Sequence, residues 1–324
     1  MPHPIIIIVE HACGKIRPAA YELVTLARMI RETAGSEIRA VILGDNIQDA
    51  AERFSAVCAV PVTAVSDTRL RDYNAELYTM VLKTLLIGMQ PAYVCVSHSS
   101  QGADFAPGLA LRLSAACVSG VEDVHAGEDG LGFYRSIYGG KIRAEIKPTA
   151  AATVLTLQPG SFKPYAAEEE AEACVQPFDI TVPDPSFGSL VLKTVPSEGI
   201  DLSEAKVLVA AGRGIGEEEN LDLVQQLAAQ FPQAAACGSR PIIDAGWMPY
   251  SRQVGITGAT VAPSLYIACG ISGASQHVSG MRSAGFVVSI NSDPGAAIFN
   301  ASDICIVEDL TAFIPVLIEQ FRTS

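Results

Sequence analysis

Short runs of β-branched and aliphatic residues alternate with segments that have the apolar spacing of an amphipathic helix. Residues 5–9 form such a run, and Leu23, Leu26, Ala27 and Ile30 follow it at helical spacing. A continuous apolar run is typical of a strand buried on both faces of a parallel sheet. Because strands that alternate with helices indicate a parallel sheet covered by helices, the sequence predicts an α/β fold.

The alternation continues along the first half of the chain. The Pro107-Gly108 pair is expected to begin a helix, and residues 98–104 are predicted to be a plain strand-to-helix connection with Asp104 near the helix cap. A nucleotide-binding loop is the alternative for that connection. The predicted strands are 5–9, 39–43, 62–65, 92–97, 153–157 and pieces near 136–147, and the predicted helices are 21–32, 47–54, 75–86 and 109–116.

The pattern changes between residues 159 and 203, where prolines fall at irregular intervals around an acidic patch at 168–172. Such a segment is typical of a connection between domains. We therefore expect two parallel-sheet domains, at 1–195 and 196–324. The second has predicted strands at 206–211, 234–238, 265–268, 285–290 and 304–307 and a helix at 220–231.

Composition excludes several classes of function. The chain has 22 Lys and Arg residues against 35 Asp and Glu residues, a formal net charge of -13, so we expect no nucleic-acid partner. The uncharged stretches 84–103 and 253–281 are interrupted by Gly, Ser and Gln, so no direct membrane insertion is expected. Eight scattered cysteines without a C-x-x-C pair predict buried thiols and no metal site. The apolar run at 5–9 lacks a basic leader, so a cytoplasmic location is expected.

Two glycine-rich segments are candidate phosphate sites. Gly212, Gly214 and Gly216 follow a predicted strand. The third glycine of a G-x-G-x-x-G dinucleotide-binding turn would fall at position 217, which is Glu217, so an ordinary tight turn is favoured. Residues 270–277 lie in an uncharged stretch of an acidic chain and suit a loop with free backbone N–H groups. A core strand and a buried helix packed through small residues are the alternative there.

Polar side chains follow several predicted strands. Ser239, Arg240, Asn291 and Asp309 do so, and Thr257 lies in a glycine-rich loop. Ligands of open parallel sheets bind beyond the carboxyl ends of the strands, so these are candidate site residues. Zinc, P-loop and G-x-S-x-G patterns are absent from the sequence, and we assign no catalytic residue.

The second domain resembles the alpha subunits of electron transfer flavoproteins, a family that includes the FixB type. The matching runs are 211–214, 238–241, 244–247, 253–258, 262–266, 270–277, 290–294, 298–299 and 308–310. The chain departs from the family pattern at Ile256, where Gln is usual, at Ala259, where Lys is common, and at 295–297. The first domain resembles the family in layout and length.

The resemblance implies a Rossmann-like second domain that binds FAD in an extended shape. It implies that Arg213 and the loop at 272–277 hold the pyrophosphate, that Arg240 lies against the flavin ring and that His277 lies at its pyrimidine side. Ser239 and Thr257 would offer hydroxyls near the reactive edge. The implied cofactor-binding residues are Arg213, Ser239, Arg240, Gln253, Val254, Gly255, Ile256, Thr257, Ser272, Gly273, Ala274, Ser275, Gln276, His277 and, at the adenosine end, Asn291, Asp309 and Leu310.

The same resemblance implies that the first domain is nucleotide-binding-like, of the adenine nucleotide alpha hydrolase type, has lost its nucleotide and contacts a beta subunit. The heterodimer would carry electrons from acyl-CoA dehydrogenase-type flavoenzymes to a quinone oxidoreductase or other acceptor, as in fatty acid β-oxidation, and would convert no substrate itself. One alternative is a subunit of an electron-bifurcating NADH-dependent flavoprotein. An alternative of another class is a stand-alone NAD-dependent enzyme on a DHS-like fold, whose usual zinc module the cysteine spacing does not supply.

Overall fold

The computed structural model describes residues 3–127, 130–138, 142–165, 167, 171–182, 184, 201–255 and 257–323. The chain divides into two compact units, residues 1–192 and 193–324, called here the first and second units. The predicted boundary between residues 195 and 196 lies outside the described residues.

The first unit alternates strands and helices. Its helices are α1 (Ala19–Ala34), α2 (Gln48–Cys58), α3 (Ala75–Met89) and α4 (Ser100–Arg112). Its strands are β1 (Ile5–Val9), β2 (His11–Ala12), β3 (Lys15–Ile16), β4 (Ile38–Gly44), β5 (Val62–Ser66), β6 (Tyr93–Ser97), β7 (Ala116–Val121), β8 (Asp123–Gly127), β9 (Gly130–Ile137), β10 (Ile142–Ile146), β11 (Thr153–Leu157) and β12 (Val175–Pro177).

A seven-stranded parallel sheet with the order β12-β5-β4-β1-β6-β11-β7 forms the centre of this unit. Ile5 and Ile7 of β1 pack in one apolar cluster, and Ile6 and Ile8 pack in another. Successive side chains of a strand point to opposite faces, so β1 is buried on both sides by the flanking helices. The predicted α/β class and the doubly buried first strand are confirmed.

The helix predicted at 109–116 is wrong at its start. α4 begins at Ser100, where Ser99 Oγ accepts a hydrogen bond of 3.0 Å from the backbone N–H of Gly102. This cap satisfies an otherwise unpaired N–H of the first turn. Pro107 therefore lies inside the helix, where it costs one backbone hydrogen bond.

Two further expectations for this region are corrected. Asp104, predicted near the cap, lies within α4 and accepts a hydrogen bond of 2.9 Å from the Tyr73 hydroxyl. Ala116, the predicted helix end, begins β7. Beyond β7, strands β8, β9 and β10 form a small antiparallel sheet, and β2 pairs with β3 as a short antiparallel hairpin. Neither antiparallel piece was predicted.

The second unit is a five-stranded parallel sheet with the order β14-β13-β15-β16-β17. Helix α8 was not predicted. The strands are β13 (Val207–Ala211), β14 (Ala234–Gly238), β15 (Leu265–Cys269), β16 (Val287–Asn291) and β17 (Ile304–Val307), and the helices are α5 (Leu221–Ala228), α6 (Arg240–Asp244), α7 (Ser275–Met281) and α8 (Leu310–Thr323).

The chain leaves β13 toward β14 on one side and returns to β15 on the other. Their carboxyl ends therefore form a topological switch point, the place where open α/β sheets bind ligands. Among the helices of the described ranges, none combines the length and apolar character needed to cross a bilayer.

Candidate functional site

A cleft of about 770 Å³ lies beyond the carboxyl ends of the strands of the second unit. Arg213 follows β13, Ser239 and Arg240 follow β14, Ile271 follows β15, and Asn291 ends β16. Parallel strands bring their carboxyl ends to one edge of the sheet, which is why residues far apart in sequence meet here.

The floor of the cleft is made by two glycine turns in direct contact. The backbone N–H of Gly214 donates to the carbonyl of Gly270 at 2.9 Å. A Cβ added at Gly212 would lie 2.3 Å from that carbonyl oxygen, so only glycine fits. Gly270 has a φ of 65°, which favours glycine as well. The turn at 212–214 is thus a tight turn whose glycines let two loops close on each other.

Gln253, Val254, Gly255 and Thr257 form one wall. Gln253 is buried, and its Nε2 donates to Thr257 Oγ1 at 2.8 Å. A Cβ added at Gly258 would lie 2.4 Å from the carbonyl oxygen of Gln253. Residues 257 and 258 therefore pack closely against Gln253, which fixes the Thr257 side chain beside the cleft.

Asn291 fastens the opposite wall. Its Nδ2 donates to the carbonyl of Ile271 at 2.9 Å, and its Oδ1 accepts from the backbone N–H of Asp293 at 2.9 Å. One side chain thereby joins the loop after β15 to the turn after β16. This position explains why β16 ends in a polar residue.

The cleft is more positive than the chain as a whole. Arg213, Arg240 and Asp293 are the Lys, Arg, Asp and Glu residues along its lining, in a chain of net charge -13. Arg213 has no hydrogen-bond or ion-pair partner within the described ranges, whereas Arg240 Nε lies 3.3 Å from Asp244 Oδ2. An uncommitted guanidinium beside a glycine turn suits an anion such as a phosphate group.

Two buried polar atoms of the lining have no hydrogen-bond partner among the described residues. They are Ser239 Oγ and His277 Nδ1, on side chains that are both 6% exposed. A buried polar atom without a partner costs free energy, so such atoms are rare unless a ligand satisfies them. Both therefore mark places where a bound group would supply the missing partner.

His277 is held neutral at this position. Burial lowers its pKa to about 4, although an interaction with the backbone of Val254 offsets part of this effect. The other ring nitrogen, Nε2, lies 2.9 Å from the hydroxyl of the fully buried Tyr266. At neutral pH the cleft therefore meets an uncharged imidazole.

Most of the predicted site residues line this cleft. Gly273 and Ser275 do not line it, although residues next to them in sequence do, and Ile256 lies outside the described residues. The predicted residues that line it are Arg213, Ser239, Arg240, Gln253, Val254, Gly255, Thr257, Ser272, Ala274, Gln276, His277 and Asn291.

Asp309 and Leu310 are not part of the lining. Asp309 Oδ1 accepts a hydrogen bond of 2.8 Å from the backbone N–H of Thr311 at the start of α8. Leu310 is 5% exposed and packs with Ile314 and Ile318 of the same helix. Their contact with adenosine stays a prediction.

Sequence reasoning missed one segment of the lining, the turn after β16 that contains Asp293, Gly295, Ala296 and Ala297. Its signal was its position after a predicted strand, the same rule that found Asn291. The residues at 295–297 have short side chains, and their composition alone does not predict that they line a cleft.

The donor set fits an anionic organic group better than a metal ion. No group of His, Cys, Asp or Glu side chains within the described ranges could hold a metal. The lining instead offers two guanidinium groups, backbone at three loops and two unsatisfied polar atoms. These features suit an anionic ligand that has hydrogen-bonding groups of its own.

Comparison with known proteins agrees with this chemistry. Residues 201–282 match the electron transfer flavoprotein FAD-binding domain, and residues 5–183 match the electron transfer flavoprotein domain. The chain is 34% identical to the electron transfer flavoprotein subunit alpha of Bacillus subtilis, over 99% of this chain and 98% of the relative. It is 33% identical to Protein FixB of Clostridium saccharobutylicum, over 98% and 95%. It is 32% identical to the lactate dehydrogenase (NAD(+),ferredoxin) subunit LctC of Acetobacterium woodii, over 97% and 76%.

FAD meets the requirements of the cleft. Its pyrophosphate is an anion, which suits a cleft lined by two arginines, and its rings carry hydrogen-bond donors and acceptors, which suit a lining with two unsatisfied polar atoms. Since the matches extend over both units and over the full length of several relatives, the chain belongs to the alpha-subunit family of electron transfer flavoproteins, and its cofactor is FAD.

Proposed function

We propose that this chain is the FAD-carrying subunit of a heterodimer that transfers electrons and converts no substrate itself. The observation that carries the proposal is the cleft at the switch point, where two arginines and two unsatisfied buried polar atoms face one space. Bound there, FAD supplies reversible uptake and release of electrons. The side chains of this chain bind it, orient it and set its electrostatic surroundings.

The role of each residue follows from its chemistry. Arg213 and the backbone at 272–277 hold the pyrophosphate, because a free guanidinium and N–H groups bind phosphate oxygens. Arg240 lies against the flavin, and Ser239 and Thr257 offer hydroxyls to its edge. Asn291, Asp309 and Leu310 lie toward adenosine at the other end.

The first domain, residues 1–195, contacts a beta-type subunit and holds no nucleotide, whereas residues 196–324 carry FAD. Support comes from the separate family match over residues 5–183. The complex acts in the cytoplasm, in keeping with the eight cysteines, which form no disulfide. The prediction that the thiols are buried is wrong for four of them, Cys13, Cys117, Cys174 and Cys305, which are exposed.

The electrons come from acyl-CoA dehydrogenase-type flavoenzymes, as in fatty acid β-oxidation, and pass to a quinone oxidoreductase or another acceptor. Support for electron transfer as such is the family itself, which includes the electron transfer flavoprotein subunit alpha of Bacillus subtilis.

A second candidate is electron bifurcation with NADH. The name of the relative from Acetobacterium woodii joins lactate oxidation to NAD(+) and ferredoxin. In that case the beta-type subunit would hold a second FAD and divide electron pairs between two acceptors.

The test is stepwise reduction of the chain co-purified with its beta-type subunit, with the flavin counted from its absorption. One FAD per heterodimer, reduced by an acyl-CoA dehydrogenase and not by NADH, is the expected result. Two FAD molecules with reduction by NADH would establish the second candidate. Absence of flavin from the intact complex would contradict both.

A further inference from the structure

A row of hydrogen-bonding side chains runs from the core of the second unit to the cleft. Tyr266 on β15 is fully buried, and its hydroxyl lies 2.9 Å from Nε2 of His277 on α7. The same hydroxyl interacts with the thiol of the buried Cys237 on β14. His277 is the member of this row that lines the cleft.

All three groups are uncharged at neutral pH. Burial raises the pKa of Cys237 to about 12 and raises the pKa of Tyr266 well above its usual value. Burial lowers the pKa of His277 to about 4. A neutral imidazole has one N–H donor and one acceptor nitrogen, so the row has only two possible directions.

The chemistry of the donors selects between these directions. In one, the phenol donates to Nε2 and the thiol donates to the phenol oxygen. In the other, Nε2–H donates to the phenol oxygen and the phenol donates to sulfur. Sulfur is a weak donor and a weak acceptor, so the first direction gives the strong O–H donor to the strong nitrogen acceptor.

We propose that Tyr266 is a positioning residue whose hydroxyl donates to Nε2 of His277 and holds the neutral ring in the tautomer that carries its proton on Nδ1. That nitrogen is buried without a hydrogen-bond partner among the described residues. The cleft is thereby given a fixed, uncharged N–H donor in place of a mobile imidazolium. The consequence for FAD rests on the proposed function, whereas the tautomer does not.

The first experiment reads the tautomer directly. Nitrogen-15 NMR of the histidine-labelled heterodimer is expected to show His277 with protonated Nδ1 and unprotonated Nε2. Tyr266→Phe should remove this preference and populate both tautomers, whereas Cys237→Ala, which removes only the sulfur, should preserve it. Tyr93→Phe in the first unit is the control for loss of a hydroxyl. Protonated Nε2 in the unaltered protein, or loss of the preference in Cys237→Ala, would overturn the proposal.

The second experiment asks whether Tyr266 acts through His277. The FAD dissociation constant and midpoint potential are measured for Tyr266→Phe, His277→Ala and the double variant. Tyr266→Phe is expected to weaken FAD binding about two- to tenfold, and the double variant should match His277→Ala alone. Additive losses would show that Tyr266 acts independently and would overturn the positioning role. A heterodimer that binds no FAD would refute the proposed function and leave the NMR result standing.

Discussion

Ser99 Oγ donates a hydrogen bond of 2.8 Å to Glu10 Oε1, inside the first unit and beside the N-terminus of α4. Glu10 follows β1, is 8% exposed and therefore carries its carboxyl group into the core. Burial raises its pKa from 4.5 to about 6, while the Ser99 hydroxyl and the nearby Arg17 charge offset part of the effect.

Glu10→Gln is expected to stabilise the protein at neutral pH. The folded state binds the proton more tightly than the unfolded state, so the native protein loses stability as pH rises from about 4.5 through about 6. The raised pKa of Glu10 corresponds to a loss of about 2 kcal/mol in the free energy of unfolding above pH 6. Urea unfolding at pH 8 should show a gain of this size, which disappears below pH 4.5, whereas the exposed Glu32→Gln should show none. An equal gain at both pH values would contradict the argument.

Glu22 makes a different kind of buried contact, and its removal should destabilise the first unit. Its carboxylate accepts from the backbone N–H of Gly160 at 2.8 Å and of Phe162 at 3.3 Å. Glu22→Ala leaves the buried N–H of Phe162 and the half-buried N–H of Gly160 without this partner, at a cost of about 2 kcal/mol. Thermal unfolding should show the loss, and Glu22→Gln, which keeps an acceptor oxygen, should lose less. Equal losses in the two variants would exclude the hydrogen bonds as the cause.

The sequence predicted the buried strands, from continuous apolar runs, and several cleft residues, from their positions at strand ends. The runs at 5–9 and 206–211 correspond to β1 and β13, and the polar residues after β14 and β16 reach one cleft. These predictions depend on local pattern and on the geometry common to parallel sheets.

The errors arose where tertiary contacts compete with local signals. The Pro107-Gly108 pair looked like a helix start, but a Cβ at Gly102 would lie only 1.9 Å from the Ser97 carbonyl oxygen, so the close packing of α4 on β6 sets where that helix begins. The neutral state of His277 could not be predicted either, because it depends on burial and on the Tyr266 hydroxyl.

Gly212→Ala should disturb both the cleft floor and FAD binding. The added methyl group would lie 2.3 Å from the Gly270 carbonyl oxygen, which is backbone and cannot rotate away. We expect about 2 kcal/mol of lost stability and loss of bound flavin. Gly88→Ala in α3 is the matched control, since its Cβ meets no atom within 4 Å and should stabilise the helix by up to about 1 kcal/mol. Full flavin occupancy in Gly212→Ala would show that the two loops can separate without consequence.

Arg213→Ala and Arg240→Ala should both weaken FAD binding, and the loss in Arg213→Ala should depend on the salt concentration. A charge-assisted hydrogen bond contributes about 1.5 to 3 kcal/mol, so losing the Arg213 contact should cost tenfold or more in affinity. The loss should shrink at high salt if Arg213 meets the pyrophosphate. Arg71→Ala is the control, because Arg71 matches Arg240 in exposure and ion pairing. The side chains are 66% and 65% exposed, and each pairs with one Asp. Unchanged affinity in either variant would remove that arginine from the site.

The buried His277 should make the second unit less stable as the pH falls, whereas Glu10 makes the first unit less stable as the pH rises. Burial lowers the pKa of its imidazole from 6.5 to about 4, so the unfolded state binds the proton more tightly. The contribution of the neutral His277 to the free energy of unfolding is fully present above pH 6.5. In the FAD-free protein it falls by about 3 kcal/mol as the pH drops through 4. His277→Gln, which cannot take up the proton, should flatten this part of the profile. Unfolding of the second unit, followed through the fluorescence of Trp247, measures it, and an unchanged slope in the variant would assign the acid lability to another group.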